Sequence, residues 1–185
     1  MISNKASKCS VLKILVIPLL VLFMAGCTVK FPQVERIVHA LKNEPPAVDD
    51  YKWQLITMEY SAEVLAVSTE NGTVFANQID DALLFDGNAV RRVVKISSDD
   101  NRYEIVDIEQ GDKLLRQFMI EGDVVAQYVC EPWVKLPETW AQHCSSLGTD
   151  SQHINRLQFN ADGELTFIQQ VYRPDGASLT LKKLL

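Results

Sequence analysis

The stretch Lys113–Cys130, KLLRQFMIEGDVVAQYVC, places two apolar-rich runs on either side of the polar tripeptide Glu-Gly-Asp at 121–123. A short, glycine-containing break between two runs of this length is typical of a β-hairpin. The same arrangement recurs along the chain from Tyr51 onward, and no helical periodicity interrupts it. The stretch therefore predicts an all-β body built from hairpins.

Similar apolar segments alternate with turn residues through the rest of the body. The other segments that we predict as strands are 53–57, Val64–Thr69, Thr73–Asn77, Ala82–Phe85, Ala89–Ile96, Tyr103–Ile108, Ile154–Asn160, Glu164–Tyr172 and Ala177–Leu184. The dipeptide Asn71-Gly72 predicts a type I′ turn. Strands that follow one another directly predict an antiparallel meander, and about ten of them rarely form a flat sheet. We therefore expect residues 51–185 to close into a barrel or half-barrel.

The composition is that of a globular protein with a core. The chain has 185 residues, of which 47% are apolar and 23% charged, and its net charge is −6. Nucleic-acid binding needs a clustered basic surface, so this charge argues against a nucleic-acid partner.

Residues 1–26 have the pattern of a secretory signal peptide. They contain Lys5, Lys8 and Lys13, no acidic residue, and an apolar run at Ile14–Met24. As a helix this run would span roughly 16 Å, against about 30 Å of hydrocarbon in a bilayer, so it is too short for a permanent anchor. A basic start, a short apolar run and small residues before a cleavage site are typical of a secretory signal.

The four residues at 24–27, Met-Ala-Gly-Cys, resemble the lipobox of bacterial lipoproteins. The resemblance implies that the thiol of Cys27 is acylated, with palmitate among the acyl groups, and that Cys27 becomes the first mature residue. By similarity to enterobacterial lipoproteins, Thr28 in place of Asp implies sorting to the outer membrane, on its periplasmic face. Acyl chains contribute about 0.8 kcal/mol per buried CH₂, so several of them anchor a protein stably. The alternative is an ordinary signal followed by a cysteine.

Residues 27–50 are predicted to form the lipidated tether. Pro32 suits the first turn of a helix, and apolar residues recur at helical spacing over Pro32–Lys42. The sequence NEPPAVDD at 43–50 then ends that helix. Cleavage before Cys27 leaves 159 residues with a net charge of −9. Such a body should not bind anionic headgroups by itself, so the lipid provides the anchor.

The cysteines predict one disulfide. Cys9 lies in the signal and Cys27 is expected to carry lipid, which leaves Cys130 and Cys144. An even pair in an oxidising compartment predicts a disulfide, and a loop of about 15 residues makes it worth roughly 3 kcal/mol. The alternatives are a metal site and a reactive thiol with His143 as its base. Adjacent residues of a strand point in opposite directions, so His143 is poorly placed for that role.

We expect neither enzymatic activity nor a bound cofactor or metal. The sequence lacks the motifs of α/β-hydrolases, zinc proteases, P-loop proteins and dinucleotide-binding enzymes. His39, His143 and His153 lie in three separate contexts, which does not favour a zinc site. The acidic pairs are Asp49-Asp50, Asp80-Asp81 and Asp99-Asp100. All three pairs fall in predicted turns or strand edges, where we expect solvated side chains; a hydrolase that uses such a pair is an alternative.

Trp133 and Trp140 are the candidate ligand-binding residues. Both lie in the loop that the predicted disulfide closes, beside Pro132 and Pro137. Exposed aromatic rings can stack on sugars or anchor an interface, whereas buried rings would fill a small satellite core. Trp53 is expected in the main core because strands bury alternate residues.

Two stretches resemble outer-membrane lipoproteins of the YjbF/GfcB type, which are encoded with genes for exopolysaccharide or group 4 capsule production. The first is Phe75–Ile96, where a strand, a turn and a strand follow an aromatic residue. The second is Asn155–Lys183, with a turn at Gly163 and a strand containing Gln169-Gln170. Family members tend to have Trp at the position of Phe75. The resemblance implies an all-β body behind a lipobox and a short helical lead.

The resemblance also implies a function. It indicates a non-enzymatic accessory factor in exopolysaccharide or capsule production or export, acting by binding a polysaccharide-export protein or a glycan. The alternative is a lipid or lipoprotein carrier that resembles the LolA/LolB half-barrels, which would require a deep apolar cavity under a helix. A structural or inhibitory lipoprotein without a ligand is a third candidate.

Overall fold

The computed structural model describes residues 52–97 and 102–184, which form strands and turns. Within these two ranges there is no helix long and apolar enough to cross a bilayer. The predicted signal, Cys27 and the predicted helix at Pro32–Lys42 lie outside the described residues.

Thirteen strands occur in the described part of the chain. They are β1 (Trp53–Ile56), β2 (Ser61–Thr69), β3 (Gly72–Ala76), β4 (Ala82–Phe85), β5 (Val90–Lys95), β6 (Tyr103–Gln110), β7 (Lys113–Ile120), β8 (Asp123–Cys130), β9 (Val134–Lys135), β10 (Trp140–Ser146), β11 (Gln152–Phe159), β12 (Leu165–Val171) and β13 (Ser178–Lys183).

The strands form one closed antiparallel sheet. Strands β1 to β8 pair in chain order, and so do β10 to β13. The ring closes because β13 pairs with β1 and β8 pairs with β10. Twelve strands make up the barrel, and the two-residue β9 pairs with β10 beside the end of β8. The predicted antiparallel barrel is confirmed.

The β7–β8 hairpin forms as the stretch Lys113–Cys130 predicts. Ile120 pairs with Asp123, so Glu121 and Gly122 make the connection. Their φ angles are 52° and 94°. A type I′ turn requires positive φ at both central residues, and its twist matches the twist of the two strands.

The turn between β2 and β3 differs from the prediction. Thr69 pairs with Gly72, so the connecting residues are Glu70 and Asn71. Gly72 has a positive φ of 127°, whereas Glu70 and Asn71 do not have positive φ angles. The predicted type I′ turn at Asn71-Gly72 is therefore wrong, and Gly72 instead begins β3 in a backbone conformation that glycine tolerates best.

Gly72→Ala is expected to lower the free energy of unfolding by more than about 1 kcal/mol. A Cβ at this position would lie 2.2 Å from the carbonyl oxygen of Phe85 on β4, so the backbone of one strand must move. Gly87→Ala is the matched control because Gly87 also has a positive φ, 105°, but no atom within 4 Å of its Cβ position. Urea unfolding of the two variants should show the larger loss for Gly72→Ala, and equal losses would contradict the steric argument.

The inward faces of the strands form one apolar core. Trp53 is buried there as predicted, with its ring edge-on to Phe75 at 5.0 Å. Opposite walls of the barrel are joined by Gln170 of β12. Its Oε1 accepts from the backbone N–H of Val90 at 2.8 Å, and its Nε2 donates to the carbonyl of Asn88 at 2.9 Å.

The segment between Cys130 and Cys144 is more regular than the sequence indicates. The sequence predicts a loop there, whereas the structure forms β9 and most of β10 within it. Strand β10 pairs with β11 along six residues, from Trp140 opposite Leu157 to Ser145 opposite Gln152. This segment therefore completes the barrel wall.

Candidate functional site

The β9–β10 hairpin carries the candidate site. Lys135 pairs with Trp140 and Val134 pairs with Ala141. The backbone N–H of Leu136 donates to the carbonyl of Thr139 at 2.8 Å, which closes the hairpin in a tight turn. The hairpin is therefore short, and its turn lies next to the end of β11.

A groove of about 270 Å³ lies between this hairpin and the β11–β12 turn. Its lining residues are Lys135, Leu136, Pro137, Glu138, Thr139, Trp140, Phe159, Asn160, Ala161 and Gly163. The lining thus combines apolar side chains with one cation, one carboxylate and several hydrogen-bonding groups. Surfaces of this mixed kind bind ligands that have both an apolar face and polar edges.

The two candidate tryptophans lie in different surroundings. Trp140 lines the groove and is half-buried, with part of its ring packed against the core. The Nζ atom of Lys135 lies 5.9 Å from the centroid of the Trp140 ring, within the range of a cation–π contact. Trp133 is also half-buried and packs against the core, but it does not line the groove. Of the two, only Trp140 can offer its ring to a ligand in this groove.

Phe159 also lines the groove, although its sequence context does not mark it as a candidate site residue. It ends β11, where the pairing with β12 shifts between Gln158 and Phe159. Its side chain is 42% exposed. Phe159 lies within a predicted strand, and this position does not predict an exposed side chain. The register shift beside it depends on the partner strand and therefore cannot be read from the sequence of β11.

The wall opposite the hairpin is held by hydrogen bonds within the β11–β12 turn. The side-chain oxygen of Asn160 accepts from the backbone N–H groups of Asp162 at 3.0 Å and Glu164 at 2.8 Å. The Oε2 atom of Glu164 lies 3.1 Å from Nζ of Lys183. Hydrogen bonding to Lys183, and next its charge, hold the pKa of Glu164 below its ordinary value. The wall is thereby fixed to the end of β13.

A disulfide joins Cys130 and Cys144, as the sequence predicts. The two residues lie directly opposite each other on β8 and β10, with Cα atoms 4.0 Å apart, and both are buried. His143 is exposed on the other face of β10, which is the arrangement that strand alternation requires. His153 lies opposite Cys144 on the same face, but both sulfur atoms are bonded to each other. With no free thiol, the structure does not support a reactive cysteine here.

Two buried amides lie beside the disulfide. The Nδ2 atom of Asn155 donates to Oε1 of Gln142 at 3.1 Å. The backbone N–H of Val171 donates to Oδ1 of Asn155 at 3.2 Å. Trp140, Gln142 and Cys144 alternate along the inward face of β10, so these amides support the strand that carries Trp140.

A charged cluster lies inside the barrel, away from the groove. Arg116 is 1% exposed and makes two hydrogen bonds of 2.8 Å with the carboxylate of Asp107. Arg91 also reaches Asp107, at 2.9 Å, and Asp86, at 2.5 Å. Burial, and next the charge of Arg116, lower the pKa of His153 to about 4. His153 is therefore neutral at pH 7.

Asp81 of the acidic pair Asp80-Asp81 has a structural role. The sequence predicts a solvated Asp81, and this prediction is wrong because Asp81 is 1% exposed. It accepts hydrogen bonds from the side chains of Tyr60 and Asn77 and from the backbone N–H of Ser97. Burial, and next the hydrogen bond to Asp81, raise the pKa of Tyr60 to about 12. The other two predicted pairs, at 49–50 and 99–100, lie outside the described residues.

Among the described residues, no group of three or more His, Cys, Asp or Glu side chains is arranged to hold a metal ion. The absence of a metal remains a prediction for the whole chain.

Comparisons with known proteins support the fold. No family model and no curated protein matches the chain. The barrel is similar to the crystal structure of the hypothetical lipoprotein YmcC from Escherichia coli (K12), with a TM-score of 0.58 and 14% sequence identity. The similarity covers 82% of this chain and 95% of that chain. At this identity the likeness shows a shared fold.

Proposed function

We propose that this chain is an outer-membrane lipoprotein of the YjbF/GfcB type, anchored through Cys27 on the periplasmic face. In this proposal it acts without enzymatic activity in exopolysaccharide or capsule production or export. The lipobox pattern at 24–27 and the two similar sequence stretches support it. The shared fold with a protein described as a hypothetical lipoprotein is consistent with it.

The proposed mode of action is glycan binding in the groove. The observation that carries it is the half-buried ring of Trp140, which lines an open groove among hydrogen-bonding groups. Sugar rings have apolar faces that stack on aromatic side chains and hydroxyls that need polar partners. Lys135 and Glu138 supply a charged donor and a charged acceptor at the groove.

The same lining favours binding over bond cleavage. Glycoside hydrolysis uses two carboxyl groups about 5–9 Å apart on either side of the scissile bond. Of the described residues that line the groove, Glu138 is the one that carries a carboxylate. The carrier alternative requires a deep apolar cavity, and no described feature specifically favours it.

The test is a calorimetric titration of the full mature chain. The titrants are oligosaccharides released from the exopolysaccharide of the producing cells. Trp140→Ala is expected to weaken binding about tenfold, which corresponds to about 1.4 kcal/mol of lost stacking. Trp140→Phe should restore most of the affinity because it keeps an aromatic face. Trp133→Phe is the control outside the groove and should bind like the parent.

Two results would contradict the proposal. One is the absence of oligosaccharide binding by the parent chain. The other is an unchanged amount of extracellular polysaccharide after deletion of the gene, under conditions in which the cells produce it.

A further inference from the structure

His153 of β11 lies beside the disulfide, on the inward face of the sheet. It is paired with Cys144 of β10, and its ring lies edge-on to the ring of Tyr128 of β8, with centroids 4.9 Å apart. Both ring nitrogens are removed from solvent and have no hydrogen-bond partner among the described residues. A neutral imidazole has one donor and one acceptor, and a protonated imidazole has two donors and a charge. A second proton would therefore add an unsatisfied donor and a buried charge at this site.

The charged groups around His153 do not compensate such a charge. The guanidinium of Arg116, from β7, is 1% exposed and repels a cation on His153. The carboxylate of Asp107, from β6, is already bound by Arg116 through two hydrogen bonds. Asp175, in the β12–β13 turn, forms an ion pair of 2.7 Å with Arg173. The surroundings thus favour the neutral imidazole.

This histidine packs where the barrel closes. The pairing of β8 with β10, here called the barrel closure, covers three residues, from Cys130 opposite Cys144 to Tyr128 opposite Ser146. The contact between His153 and Tyr128 joins β11 to β8 across the inward face of β10. Separation of β8 from β10 beyond the disulfide would therefore bring the imidazole into contact with water.

We infer that His153 makes the barrel closure sensitive to acid. A proton from solvent binds the imidazole when β8 and β10 separate, and the charged ring then opposes their return, while the disulfide keeps the two strands linked. This sensitivity is independent of the proposed glycan binding, although β10 also carries Trp140 of the groove.

The direction of the pH dependence follows from the two states of His153. Its pKa is lowered to about 4 in the closed barrel, by burial and next by the charge of Arg116, whereas a solvated histidine has a pKa of about 6.5. The open state therefore binds more protons. The stability of the closure is complete above pH 6.5 and falls as the pH decreases from 6.5 towards 4.

Hydrogen exchange of the full mature chain at pH 7 and pH 5 tests the inference. After correction for the intrinsic exchange rate, the opening constant of the β10 amides is expected to rise roughly twentyfold between pH 7 and pH 5. Ordinary carboxyl groups have pKa values of about 4, so they stay largely ionised over this interval. The amides of β2, which is remote from His153 along the sheet, should change little.

His153→Phe keeps an aromatic ring beside Tyr128 but cannot take up a proton. Its β10 opening constant is expected to differ less than about twofold between the two pH values. His143→Gln is the matched control because it removes an exposed histidine from β10 itself, and it should keep the roughly twentyfold rise. His153→Gln provides a second variant without a titrating ring if His153→Phe does not fold.

NMR titration of the His153 imidazole follows the proton directly. A midpoint near pH 4 in the folded protein is expected, and a midpoint near 6.5 would overturn the inference. Equal acid sensitivity in the parent and in the His153 variants would also overturn it, because another group would then take up the proton. An equal rise in β2 and β10 would reject the barrel closure as the element that responds.

Discussion

Replacing Cys130 and Cys144 together by alanine is expected to lower the free energy of unfolding by about 3 kcal/mol. The disulfide joins residues 14 positions apart, and the chain-entropy model gives about 3 kcal/mol for a closed loop of that length. For a domain of this size, a loss of that magnitude lowers the melting temperature by roughly 6–12 °C. Thermal unfolding followed by circular dichroism measures the shift.

The loss should concentrate where the barrel closes. Strands β8 and β10 pair along three residues, from Cys130 opposite Cys144 to Tyr128 opposite Ser146, whereas β7 and β8 pair along seven. The disulfide therefore reinforces one of the shorter pairings in the ring. Hydrogen exchange in the double variant is expected to rise more in β10 than in β2, since local opening follows the weakest cooperative contacts.

Two controls separate the crosslink from the side-chain change. The parent protein under reducing conditions should unfold at nearly the temperature of the double variant. Ser145→Ala changes an exposed residue of the same strand and should leave the melting temperature unchanged. A double variant that melts within about 2 °C of the parent would show that the disulfide contributes little to stability.

The local features of the fold were readable from the sequence. Strands β4 and β7 have the predicted bounds, Ala82–Phe85 and Lys113–Ile120, because alternation and turn residues act within a few positions. The sequence does not predict strand β10, because its inward positions do not form a regular alternation of apolar and polar residues. Its inward positions include the amide of Gln142, which is buried through a partner on another strand, and the half-buried Trp140.

The candidate site was only partly predictable for the same reason. Trp140 could be named from its residue type, but the groove also needs Phe159 and the β11–β12 turn. Those elements meet Trp140 because β10 pairs with β11, with Trp140 opposite Leu157. The register between β10 and β11 decides which side chains become neighbours. The length of the turn between these strands is not clear from the sequence, and periodicity alone does not give the register.

Arg116→Met is expected to destabilise the barrel by about 3 kcal/mol or more, although methionine fills a similar volume. Arg116 donates two hydrogen bonds to Asp107, and both side chains are nearly removed from solvent. Without Arg116, the buried carboxylate of Asp107 has fewer positive charges and hydrogen-bond donors to offset its burial. Removing one partner of a buried ion pair typically costs about 3–5 kcal/mol of stability. Arg91 still reaches Asp107 at 2.9 Å, so we expect the lower end of that range.

The destabilisation should depend on pH. Burial by itself would raise the pKa of Asp107, but hydrogen bonds and charge from Arg116, and next from Arg91, hold it below its ordinary value. The stability that this carboxylate contributes is therefore present above the unfolded-state pKa of about 4 and is lost as the pH falls through the folded-state pKa. The difference between parent and Arg116→Met should be largest near pH 7 and smaller in acid.

The double variant Arg116→Met/Asp107→Leu distinguishes an unpaired charge from poor packing. Removal of both charges also removes the penalty of the buried carboxylate, and Arg91 keeps Asp86 as its partner. Apolar replacement of a buried ion pair is often close to neutral, so the double variant should be more stable than Arg116→Met by at least about 2 kcal/mol. Lys113→Met, which breaks the exposed ion pair with Glu131, should change stability little. If the double variant is no more stable than Arg116→Met, the cost lies in packing around position 116 and the electrostatic account is wrong.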